Sequence, residues 1–322
     1  MEKPKFYIKG DNLSGVDKKV LGVHKEIIEE SFSEGKRLFI GEEKKSPELS
    51  EGIEYLNYYL NEELVDLGLK KIKTDQRTIH VLPDAVFNKV IDEPDTLSFY
   101  YFNENSILVR DQSSRMLVLR LILHEMVHQA SFHTVFENTD KKLIYPLRSG
   151  YQGFKPNDLE SKDRFVGLNE AVVDSITQEI INKHKEDLNI KFNFSEEELK
   201  TDELLSNNYS DYIDILNIII DKISEEKGED RESIWKNFKK GEFTGNMMYL
   251  RDVEKYFGVG ALRILSSFGD YNDRNNYELL IDKTKEYFKS YGNPNLQSKI
   301  AKEILSEKDF IEYEKMQNKY AK

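Results

Sequence analysis

The sequence predicts an α+β protein, with a small sheet in the N-terminal half and a nearly all-helical C-terminal half. Two observations carry that prediction. Between residues 78 and 111 lie three short stretches, TIHVLPD (78–84), LSFYYF (97–102) and SILVRD (106–111), rich in β-branched and aromatic residues and bounded by turn formers. Elsewhere the apolar residues recur every three or four positions, the period of one face of a helix.

Taken in order, residues 16–32 set Val16, Val20, Val23, Ile27 and Ile28 on one helical stripe. GEEKKSPELSEG (41–52) reads as a surface loop running into a helix start at Ser46 and Pro47. The helix that follows turns Leu49, Ile53, Leu56, Leu60 and Leu64 inward and stops at Gly68. The three strand stretches come next, the last two joined through the polar turn NEN into a hairpin. From Gln112 onward helical patterns return: first the stretch 118–133, then about 166–187, DYIDILNIIIDKI (211–223), SIWKNFKK (233–240) and two longer helices after Gly269. The charged, amphipathic last stretch reads as a packed helical appendage. The expected organisation is an N-terminal α+β lobe over 1–133 and a mostly helical lobe over 134–322.

A chain of 322 residues can bury a sizeable core, and 39% hydrophobic residues with eighteen each of Tyr and Phe are a folded composition. No run approaches the roughly 20 apolar residues that span a bilayer, and MEKPKFYIKGDN lacks the apolar core of a signal peptide. The expectation is a cytoplasmic protein, with export open if a leader has been removed. The net charge of −12, with no basic cluster clear of acidic neighbours, argues against nucleic acid or an anionic membrane as partner. The absence of cysteine excludes disulfides, a thiolate nucleophile and Cys-ligated metal. Any metal must be held by His, Asp or Glu.

The chemistry concentrates in VLRLILHEMVHQASFH (118–133). His124 and His128 are four residues apart, so a helix puts them one turn apart on the same face, where they can grip one ion. Glu125 is rotated about 100° from His124, which sets its carboxylate beside the ion, where a base acting on a water belongs. A second helical stretch, GLNEAVVDSITQ (167–178), projects Glu170 and Asp174 from one face. Leu168, Ala171, Val172, Val173 and Ile176 surround them, and an acidic pair among apolar neighbours needs a partner. Zinc on Glu170, and the N–H of a ligating imidazole on Asp174, would supply it.

The pairing of HEMVH with NEAVVD resembles the gluzincin zinc metallopeptidases, and GLNEAVVD is similar to the corresponding stretch of thermolysin-like enzymes. The resemblance covers short segments, and the spacer from His128 to Glu170 is longer than in thermolysin-like enzymes proper. It implies a two-lobed zincin-like fold with His124, His128 and Glu170 as zinc ligands, Glu125 as general base and Asp174 as a carboxylate orienting a histidine. A metzincin would need a glycine three and a histidine six residues after His128, but Ser131 and Thr134 stand there. His133 is out of register and reads as a helix-end residue. His80 and His24 read as structural, and His184, in NKHKED, as solvent-facing.

Two neutral imidazoles and one carboxylate leave a site of charge +1 with an open position, which suits a water whose pKa falls toward about 7. Glu125 would take its proton and pass it to the leaving amine. The oxyanion needs a further donor; Tyr145, Tyr151, Tyr209 and Tyr212 are candidates, and Tyr209 is favoured because NNYSDY opens a helix after the Glu170 helix. The hairpin strand before the metal helix borders the cleft in gluzincins, so Ser98, Phe99 and Tyr100 are expected to bind a peptide substrate along a free strand edge. The function expected is zinc-dependent peptide hydrolysis. The alternatives are a zinc hydrolase acting on a non-peptide amide, a zinc-binding protein with a non-catalytic site, and a helical interaction protein whose motif is accidental.

Overall fold

Ser46 opens the first described helix, α1 (Pro47–Asp66): its hydroxyl accepts from the Leu49 N–H at 3.0 Å, and Pro47 occupies the first turn, where a missing N–H costs nothing. The computed structural model describes residues 6–10, 39, 41–91, 95–102, 105–138, 143–154, 163–205, 209–269 and 277–320; the expected helix at 16–32, with His24, lies outside them. Ile53, Leu56, Leu60 and Leu64 are buried as their spacing requires, and Gly68, with φ +74°, takes the left-handed turn that ends the helix.

The three strand stretches form one sheet: β2 (Ile79–Leu82), β3 (Ser98–Tyr101) and β4 (Ser106–Arg110), in the order β2-β4-β3. A strand at the N-terminus, β1 (Phe6–Gly10), belongs to a second sheet. β3 runs antiparallel to β4, as the hairpin predicted, while β2 is parallel to it. Between β2 and β3 the short helix α2 (Asp84–Val90), unmarked in the apolar pattern, drops Phe87 against Leu82 and Leu108. The opposite sheet face, carrying Ser98 and Tyr100, meets helix α3 (Arg115–Ala130).

Helix α3 is held on several sides. Ser114 caps it by accepting from Leu117 N at 3.2 Å and donates from its hydroxyl to the carbonyl of Glu198. A Cβ on Gly52 of α1 would meet a Leu119 methyl at 2.7 Å, so the glycine leaves room for that side chain between the two helices. Arg120, buried, forms a two-pronged pair of 2.5 and 2.9 Å with buried Asp202 on α5 (Glu196–Leu205). Ser131, extended at ψ 163°, ends the helix while its N–H still bonds back to Val127 and His128.

From here the chain departs from the expected helices. His133 is no helix end but the first residue of β5 (His133–Asn138), followed by β6 (Leu143–Ser149) and β7 (Gln152–Gly153) in the sheet β1-β5-β6-β7. Thr134, Val135 and Phe136 are strand formers, and β1 pairs with them in parallel from far along the chain, a partnership no local pattern reveals. Helices follow: α4 (Val166–Phe192), α5, α6 (Ser210–Lys227), α7 (Arg231–Thr244), α8 (Arg251–Phe257), α9 (Ala261–Ser267), α10 (Tyr277–Lys289), α11 (Pro294–Ile304) and α12 (Glu307–Tyr320). After Gly269 there are three described helices rather than the two expected, because Gly292 and Asn293 break the first and Pro294 starts the next.

The fold is mixed α+β. Contacts group residues 1–146 with 176–207 and residues 147–175 with 208–322, so neither unit is one continuous stretch and α4 contributes to both. Among the described residues no helix is long and apolar enough to cross a membrane.

Candidate metal centre

His124 and Glu125 are buried on α3, and His128, one turn on, is half-buried. The His124 and His128 rings meet edge-on, their planes 70° apart and their centroids 4.9 Å apart, and their Nε2 atoms are 3.2 Å apart. Two nitrogens bound at about 2.0–2.1 Å to one tetrahedral ion would stand about 3.3 Å apart. The pair is already spaced for a shared ion.

Glu170 reaches the same place from α4, whose first turn is tied down within its own unit. Asn169, fully buried, accepts at Oδ1 from the N–H groups of Tyr151 (2.8 Å) and Gln152 (3.2 Å), and the Gly167 N–H donates to Phe268 O at 3.0 Å. One donor atom each from His124, His128 and Glu170 lie within 4.8 Å of one another, and among the described residues this is the one group of three or more such side chains. Two imidazoles and a carboxylate suit a divalent transition ion. The residues present therefore fit a metal. Asp174, one turn beyond the half-buried Glu170, is buried, at 5% exposure.

Glu125 is 4% exposed, and its Oε1 accepts a 2.6 Å hydrogen bond from the Ser98 hydroxyl on β3. β3 stands at the edge of its sheet. The Arg110 N–H bonds to Leu97 O at 2.8 Å, so by antiparallel alternation the N–H and C=O of Ser98 and Tyr100 point away from β4, toward that edge. Tyr100 is buried and donates its hydroxyl to Asn105 at 3.0 Å, while Phe99 lies on the other face and is exposed. The strand alternates as expected, and Ser98 is the member whose side chain reaches the motif.

Tyr209 precedes α6, half-buried, its ring 5.7 Å from that of Tyr212. Tyr212 packs edge-on against Phe268 and lies 6.0 Å from Tyr277. Burial raises the Tyr277 phenol above its ordinary pKa, and the charges of Asp211 and Glu170 push the same way. A tyrosine thus stands in the field of Glu170 that the sequence did not single out; it lies more than a hundred positions away, and nothing in its local pattern marks it. Tyr151 leaves the candidates, because it is fully buried and its hydroxyl donates to Phe238 O at 3.0 Å. The Tyr145 side chain is outside the described residues.

The remaining described histidines have structural surroundings. His80 Nδ1 lies 2.8 Å from Glu42 Oε2. His133 is fully buried beside Phe102, and burial pushes its pKa down to about 4. His184 is not solvent-facing as expected: it stacks on Tyr59 at 3.7 Å and lies 3.3 Å from Glu62, because that face of α4 packs on α1. Compared with known proteins, the chain matches no family model, no curated sequence and no solved structure.

Proposed function

We propose that the chain is a zinc metallopeptidase of gluzincin type with a zincin-like fold, in which His124, His128 and Glu170 hold zinc. The observation that carries this is the convergence of those three donors beside a buried glutamate that is not one of them. A purely structural site has no use for Glu125. Bound there, zinc would supply a Lewis acid that makes water acidic and stabilises negative charge on a carbonyl oxygen.

The chain's own groups do the rest. Glu125 takes a proton from water as the water oxygen bonds to the carbonyl carbon, then returns it to the amine nitrogen as the C–N bond breaks. Asp174 orients a ligating histidine, and Tyr209 donates to the developing oxyanion. An extended peptide pairs with the outward N–H and C=O groups of Ser98 and Tyr100, which gives affinity without sequence preference.

The test is metal analysis of purified protein together with cleavage of an unbiased peptide library. One zinc per chain and chelator-sensitive cleavage are expected. N-methylating the backbone of the best substrate at alternate positions should raise KM about tenfold or more where an N–H pairs with β3, since each good backbone bond lost from a dry site costs about 1–3 kcal/mol. Metal-loaded protein that cleaves no peptide, or cleaves amides outside peptides instead, overturns the reading.

A further inference from the structure

We propose that Ser98 is a positioning residue for Glu125, resting on the reading of Glu125 as the base. Three observations converge on it. The Ser98 hydroxyl, on the edge strand, donates to Glu125 Oε1 at 2.6 Å, a short hydrogen bond. The bond is made to Oε1 and Oε2 takes no part in it, so one carboxylate oxygen is engaged and the other is left to receive a proton. The same residue turns its backbone N–H and C=O to the edge of β3 that no described strand covers.

A glutamate on a helix has three side-chain torsions, and its carboxylate can rotate through several positions that miss a reacting water. Fixing one oxygen removes most of them. Because the anchor comes from the edge strand rather than from α3, the base is referenced to the strand along which a peptide would lie. Ser98 therefore sets the distance between substrate backbone and base. A small misplacement at this point is costly in rate, since proximity and alignment supply much of the acceleration.

Two measurements separate this role from simple packing and from failure of the peptidase reading. In wild-type protein that cleaves peptide, Ser98→Ala should lower kcat about tenfold with KM and zinc content unchanged, and Ser98→Thr, which keeps the hydroxyl, should restore most of it. Independently of activity, a double-mutant cycle of Ser98→Ala and Glu125→Ala on unfolding of the metal-free protein should show about tenfold coupling in the unfolding equilibrium constant. Additive effects in the cycle overturn the hydrogen bond and the proposal with it, whether or not the protein proves to be a peptidase. Coupling with an unchanged kcat in Ser98→Ala shows a structural bond only and overturns the positioning role. A wild-type protein without peptidase activity defeats the function and with it the positioning role, while the cycle still reports on the bond.

Discussion

Replacing Glu125 by Gln is expected to leave zinc content and thermal midpoint at wild-type values while peptide cleavage falls about 10²–10⁴-fold, the range lost with a general base. Glutamine keeps the shape of the side chain and an oxygen that can still accept from Ser98, so the surroundings of the carboxylate survive. What it lacks is the ability to take up a proton. The measurement is kcat with fully metal-loaded protein, and a variant retaining most of its rate would remove Glu125 from the chemistry. A loss of zinc in the same variant would instead make it a ligand, contrary to its place beside the triad rather than in it.

Glu170→Ala should abolish stoichiometric zinc binding. Two imidazoles with their Nε2 atoms 3.2 Å apart can still capture an ion weakly, but the third donor that closes the group is gone. Its effect on affinity should exceed that of Asp174→Asn, for which a drop of about 10–100-fold is expected of an orienting carboxylate. Titration with a competing chelator ranks the two. Equal affinities for wild type and Glu170→Ala would show that the carboxylate's proximity is incidental, and an unchanged Asp174→Asn would return that residue to the core as a buried acid with no bearing on the metal.

Much of the site was legible because its spacing is helical. His124 with His128, and Glu170 with Asp174, repeat every four residues, so each pair declares its face without any knowledge of the fold. The hairpin of β3 and β4 was legible for a similar reason, its two strands lying on either side of one turn. Partnerships across long stretches of chain were not legible. The parallel pairing of β2 with β4 and of β1 with β5 leaves no local trace, and the residues of β5 and β6 were absorbed into the helical trend on either side. Asn169 gave one faint signal, an amide set among Leu168, Ala171 and Val172, and its burial and backbone bonds to Tyr151 and Gln152 account for it. Ser98 could be placed on a free strand, but a contact with Glu125 depends on which face of the sheet meets α3, and that is a property of the packed molecule.

The buried pair of Arg120 and Asp202 has a consequence for how such a chain can change over generations. Removing either partner alone strands a charge in the interior, at a cost of about 3–5 kcal/mol, whereas exchanging both for apolar residues of similar volume is often neutral or better. Any lineage that leaves this pairing must therefore cross a poorly folding intermediate or make both substitutions together. Since Arg120 sits one turn before His124, drift at that position is checked by a residue on α5, and the stretch of helix leading into the histidines is kept from wandering by a constraint unrelated to the reaction itself.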